Sequence, residues 1–189
     1  MFLTGCVSNA VFPPAPRKAA TPDYNYVIGP MDSVNIVVWR NPDLSTSVTV
    51  RPDGKITVPL VEDLPAMGRD STTLAREIEK ALGKYIRDPV VTVIVGGFNG
   101  PYSEQIRIVG EATRPQSLPY RQNMTLLDLM IMVGGVTEFA DANRAILQRT
   151  SDANKLYNLR IEDLLKRGDL SANVDLKPGD VLIIPESWF

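Results

Sequence analysis

A chain of 189 residues, 44% of them hydrophobic, suits one medium domain or two small ones and has the apolar content of an ordinary globular protein. Twenty lysines and arginines are scattered among 22 aspartates and glutamates, for a net charge of −2, which leaves no footprint for nucleic acid. With no histidine and one cysteine, the usual triads, the usual zinc ligand sets and an internal disulfide are excluded, no cofactor or metal is expected, and no run approaches the roughly 20 apolar residues of a membrane helix.

The N-terminal Leu3-Thr4-Gly5-Cys6 matches the recognition box of bacterial lipoproteins, in which the peptidase cuts before a cysteine that carries a lipid. A full secretory signal needs a basic region and about 7–15 apolar residues ahead of the cut, and only Met1-Phe2-Leu3 precede this box. The competing reading is an ordinary N-terminus with a stray thiol. The stretch after Cys6, SNAVFPPAPRKAATP, is too rich in Pro, Ala and small polar residues to build a core. Residues 1–23 are therefore read as a lipid-attachment box and flexible tether, with membrane association through Cys6.

A first folded unit is expected over residues 24–97. Val34, Ile36 and Val38 alternate with Asn35, Val37 and Trp39, which is strand periodicity. Val48–Leu60 reads as a hairpin around Arg51-Pro52-Asp53-Gly54, where Pro52 presets φ and Gly54 accepts a positive φ. Asp70-Ser71 caps a helix whose buried stripe is Leu74, Ile78, Leu82 and Tyr85, stopped by Arg87-Asp88-Pro89. Val90–Val95 is a β-branched strand. Gly96 through Pro101 marks a boundary, and residues 98–104 are read as a linker.

The second unit, 105–189, has the order β-β-α-β-β-(α)-β. Gln105–Val109 is a strand, Gly110 to Pro115 turns it, and Ser117–Tyr120 returns. Thr125 to Asp128 is a helix-start signal. Leu126, Leu127, Met130, Ile131 and Val133 make the expected buried side, and Gly134-Gly135 end the helix. Ala145–Arg149 and Lys155–Leu159 read as paired strands, Ile161–Lys166 as a short helix, and Val181–Ile184 as a final strand entered through Pro178-Gly179-Asp180. The fold class is α+β: two small mixed-sheet units with one main helix each, the second with the arrangement of a β-grasp domain. Gly29-Pro30-Met31-Asp32 and Lys177-Pro178-Gly179-Asp180 echo one another, each placing an Asp before a strand where it can cap backbone N–H groups.

These residues carry a family resemblance. Tyr26 to Asp32, Ile36 to Trp39, Val50-Arg51-Pro52-Asp53-Gly54-Lys55-Ile56 and Tyr85 through Val93 resemble the N-terminal domain of the outer-membrane polysaccharide export lipoproteins. Val109-Gly110-Glu111-Ala112 with Pro115, then Thr125 to Asp128 with Gly134-Gly135, resemble the soluble-ligand-binding β-grasp (SLBB) domain that follows it. The ending, Leu176 to Phe189, is similar to the branch encoded with exosortase-associated exopolysaccharide loci. The resemblance implies a periplasmic ring homo-oligomer at the outer membrane, lipid-anchored through Cys6, through which exopolysaccharide passes. It also implies an inner-membrane chain-length determinant or co-polymerase as a partner. The larger members end in an amphipathic helix that crosses the outer membrane, and this sequence has none after its last strand, so a separate outer-membrane β-barrel is expected to supply the pore.

Other readings remain beside this one. Asp32, Asp53, Glu62 and Asp63 lie near strand ends, and a glycosidase needs two carboxylates, but each has a turn or surface explanation. Ser103 and Ser117 have no histidine to activate them. Trp39 either packs in the core or stacks on sugar. Trp188 and Phe189 either fold back on the sheet or dock a neighbour. Arg107, Arg114, Arg121 and Arg144 either face an acidic polymer or belong to a solvated surface. A regulatory module that binds a sugar or the co-polymerase without enclosing a channel is the alternative to a conduit.

Overall fold

The computed structural model describes residues 12–18 and 24–188. Its contacts divide the chain into two units, one of Pro22–Gln105 with Leu118–Tyr120, the other of Ile106–Ser117 and Arg121–Phe189 with the N-terminal stretch.

In the first unit, β1 (Ser33–Val38) lies between β2 (Thr46–Thr49) and β5 (Val91–Gly96), antiparallel to both. The alternation of β1 buries Val34, Ile36 and Val38 and turns Ser33, Asn35 and Val37 outward. Against the buried face lies α1 (Ser71–Leu82), which contributes Leu74, Ala75, Ile78 and Leu82 to one core with Val91 and Val93. Asp70 caps α1, accepting from the backbone N–H of Thr73 at 2.8 Å, which satisfies one of the donors a helix start leaves unpaired.

The helix ends at Leu82 with Gly83 as its cap, one turn earlier than the apolar spacing suggests, and Tyr85 is 61% exposed rather than part of the buried stripe. The expected Val48–Leu60 hairpin is also corrected. The turn at Arg51–Gly54 forms, with Gly54 N–H donating to the Arg51 carbonyl at 2.8 Å. Its flanks part company, however. β2 takes β1 as its ladder partner, while β3 (Lys55–Val58) pairs with β4 (Val61–Pro65) around Leu60, whose φ is +68°. All ladders here are antiparallel, so the mixed sheet expected of both units belongs to the second.

The second unit is a five-stranded sheet. Its strands are β6 (Gln105–Gly110), β7 (Ser117–Pro119), β8 (Ala145–Arg149), β9 (Lys155–Leu159) and β10 (Val181–Ile184), in the order β7-β6-β10-β8-β9. Central β10 runs parallel to β6 and antiparallel to β8. The main helix α2 (Leu126–Val133) opens with a capping box between Thr125 and Asp128 and closes on Gly134 at φ +80°. It buries Leu126, Leu129, Met130 and Val133, while Ile131, expected inside, is 70% exposed. The short α3 (Ile161–Lys166) follows β9.

Residues 12–18 depart from the flexible tether read from composition. The Pro13 carbonyl accepts from Asn158 N–H at 2.8 Å, Ala15 N–H returns a bond to the Asn158 carbonyl at 3.3 Å, and the Arg17 carbonyl accepts from Asp175 N–H at 3.1 Å. Proline lacks a donor, so a proline-rich segment can pair only on a sheet edge, and β9 is that edge. The proposed lipidation residue, Cys6, lies outside the described residues, as does Phe189.

Candidate functional site

Two buried carboxylates organise the turns that lead into β1 and β10. Asp32 is fully buried. It accepts from Gly29 N–H at 2.8 Å, Asn99 N–H at 2.6 Å, Gly100 N–H at 3.3 Å and the Tyr26 hydroxyl. Charge-assisted bonds of this number compensate the loss of water around a buried carboxylate. Burial, with the bond to Asp32, pushes the Tyr26 phenol up, so it keeps its proton and serves as a donor. Gly29 has no room for a side chain: a Cβ there would stand 2.0 Å from the Gly100 carbonyl carbon. Asn99 and Gly100, read as linker, are thus clasped to the turn before β1.

Asp180 repeats the device with a different partner. It accepts from Lys177 N–H at 2.9 Å, as Asp32 does from Gly29, three residues back in each case. Its second partner is Arg149, at 3.2–3.4 Å, itself buried, lying over the Tyr157 ring and donating to the Asp175 carbonyl at 2.8 Å. Burial pushes the Asp180 carboxyl up, against the pull of Arg149 and of Lys177 N–H. Gly179 offers its carbonyl to the Thr150 hydroxyl at 2.8 Å.

The other residues singled out in the sequence also sit in turns. Pro52, Asp53 and Gly54 occupy the turn before β3, where Arg51 bridges Asp53 and Asp63, and the Gly54 carbonyl accepts from both Ala66 and Met67 at 2.9 Å. Gly110 ends β6 at φ +87°, and Pro115 is exposed in the following turn. Gly135 accepts from Thr113 N–H at 3.0 Å and donates to the Met130 carbonyl at 2.8 Å, closing the end of α2. Asp32, Asp53 and Asp63 are therefore each engaged by donors that hold turns together, and Glu62 is exposed on β4. Among the described residues no cluster of acidic, His or Cys side chains could hold a metal ion.

Both tryptophans face outward. Trp39 is 65% exposed and Trp188 93%, which corrects the core reading of Trp39 and the packing of Trp188 on its own sheet. In the first unit a cleft of about 580 Å³ opens between Tyr26 and Phe98 on one side and the start of α1 on the other. The rings meet edge to face, 5.4 Å between centroids. Phe98 holds φ at +46°, between Gly97 at +82° and the clasped Asn99. Sequence reading missed Tyr26, Phe98 and Arg149 as partners, because the Tyr26–Phe98 ring pair and the Arg149–Asp180 bond each join segments far apart in the chain.

Residues 20–96 match the family model described as polysaccharide biosynthesis/export protein, and residues 104–184 match that of the SLBB domain. The chain belongs to the polysaccharide export family, with its export domain followed by an SLBB domain. It is 27% identical to the EPS I polysaccharide export outer membrane protein EpsA of Ralstonia nicotianae, covering 88% of this chain and 48% of that protein. It is 29% identical to the exopolysaccharide production protein ExoF of Rhizobium meliloti, covering 85% of this chain and 40% of that protein. The chain thus spans less than half the length of these relatives. The matches reach the family and not its exosortase-associated branch. Family members are transport components rather than enzymes, and among the described residues no helix is long and apolar enough to cross a membrane.

Proposed function

We propose that the protein is a non-catalytic periplasmic component of exopolysaccharide export, working at the outer membrane as a subunit of a ring that conducts or gates the polymer. The observation that carries the reading is the export domain followed directly by an SLBB domain, in a chain similar to EpsA and ExoF. A conduit must release what it binds, so its contacts with polymer are weak and repeated along the wall. The reading keeps three further elements as proposals: a lipid on Cys6, an inner-membrane co-polymerase as the supplier of polymer, and a separate outer-membrane β-barrel as its exit.

A ring needs a head-to-tail interface between unlike faces. The outer face of the β1–β5 ladder supports one: Val37 and Ile94 are exposed on it, and exposed Trp39 and Val90 continue it just past its end, with Trp39 N–H bonded to the Val90 carbonyl at 2.9 Å. Native mass spectrometry of the protein extracted from membranes tests the proposal. A single closed oligomer is expected, and Trp39→Asp is expected to reduce it to monomers with an unchanged melting temperature. A wild-type protein that stays monomeric throughout contradicts the ring and favours the regulatory binding module.

A further inference from the structure

The cleft beside Tyr26 and Phe98 has the chemistry of a carbohydrate site. Its volume, about 580 Å³, falls within the roughly 300–1,000 Å³ of small-molecule sites. One wall is aromatic. In an edge-to-face pair at most one ring face is covered, so at least one face of Phe98 is left open by Tyr26, and Phe98 is 56% exposed. The axial C–H groups of a pyranose carry partial positive charge and pack on the negative face of such a ring. Apart from Val95, the rest of the lining is polar and short-chained: Asn25 beside Tyr26, and Asp70, Ser71, Thr72 and Thr73 at the start of α1. Among the described residues no hydrogen bond engages the Ser71 or the Thr72 hydroxyl, which leaves both for a ligand's hydroxyls.

The charge of the cleft selects among sugars. No lysine or arginine lines it, and Asp70 does. The backbone N–H and hydroxyl of Thr73 hold the Asp70 carboxyl below the usual carboxylate range, so it is ionised at neutral pH. A uronate, sulfate or phosphate group there would meet a like charge with no cation to offset it.

The aromatic wall is built to stay in place. Asp32 grips the N–H groups of Asn99 and Gly100 on one side of Phe98 and the hydroxyl of Tyr26 on the other. A stacking platform fixed before the ligand arrives costs less to occupy than one that must be ordered on binding.

We infer that this cleft is a subsite for an uncharged hexopyranose unit of a polysaccharide, stacked on Phe98 and hydrogen-bonded by Asn25, Ser71 and Thr72. The inference rests on the export reading for its choice of polymer and places a contact in the export domain. Saturation-transfer-difference NMR on the purified full chain tests it, with maltohexaose and cellohexaose as neutral probes and hexagalacturonate as the acidic one. Transfer to ring C–H protons of a neutral hexamer is expected, at least fivefold weaker in Phe98→Ala and retained in Phe98→Trp, with hexagalacturonate at least tenfold weaker. Thermal melts confirm that the variants are folded, and Thr72→Ala, an exposed change, gives a second, weakened variant. Absence of transfer from both neutral hexamers overturns the proposal. So does equal transfer in Phe98→Ala, or hexagalacturonate binding as well as the neutral probes. The measurement needs no export machinery, so its failure leaves the export reading standing, and a failure of export in cells leaves the binding result intact.

Discussion

Asp32 shows how one residue sets the geometry of an exposed wall. Its carboxylate collects three backbone N–H groups and a phenol from both ends of the first unit. Removing it leaves buried donors with no acceptor, each costing about 1–3 kcal/mol. Asp32→Ala is expected to destabilise by on the order of 3 kcal/mol or more in urea titration, and Asp32→Asn by less, since its amide oxygen still accepts. The Arg149–Asp180 pair follows a different rule. Both partners are almost wholly buried, and breaking such a pair from one side leaves an uncompensated charge at roughly 3–5 kcal/mol. Arg149→Leu is expected to cost that much. In Arg149→Leu/Asp180→Leu the loss is expected to be smaller than the sum of the two single changes, because no lone charge remains. The same double variant loses the cap on Lys177 N–H, so full recovery is not expected. Strict additivity would show that the two groups act separately.

At the scale of the elements, glycine positions separate steric need from backbone need. Gly110 sits at φ +87° where β6 lies beside β10, and a Cβ would stand 2.0 Å from the Ile184 carbonyl oxygen. Gly135 has nearly the same φ, +85°, with nothing within 4 Å of its would-be Cβ. Gly135→Ala is therefore expected to cost only the left-handed strain, about 1–2 kcal/mol. Gly110→Ala is expected to cost well beyond that, about 3 kcal/mol or more, since the ladder must open as well. Chemical denaturation of the two variants checks the difference, and equal losses would contradict it.

The elements also show what was legible in the sequence. Strands β8 and β9 and helix α3 fall where alternation and spacing put them, because each has its buried residues at the period of its own geometry. Strand β4 was not legible: Val61 is buried, but Glu62 and Asp63 follow it outward in succession, so no alternation marks the segment. That loss misassigned the hairpin, since β3 pairs with β4 and not with β2. Ile131 was placed inside α2 because an almost wholly apolar helix gives little contrast between its faces. Of the candidate site, the two Pro-containing turns with their aspartates were readable as local motifs. Phe98, Asn99 and Gly100 were not, because the partner that fixes them is Asp32, up to 68 residues earlier.

For the whole molecule, the order of two domains says more than any single residue. The turn aspartates and glycines explain why each unit holds its shape and assign no chemistry. Export domain and SLBB domain in succession place the chain among polysaccharide export proteins, and Trp39, Phe98 and Trp188 are the aromatic residues on which the proposed contacts with neighbours and polymer rest. The most direct measurement is where exopolysaccharide accumulates in a strain deleted for this gene, assayed in surface and periplasmic fractions beside a complemented control. The account predicts that surface polymer is lost, with polymer retained in the periplasm, and that complementation restores it. Normal surface polymer in the deleted strain would contradict a role in export.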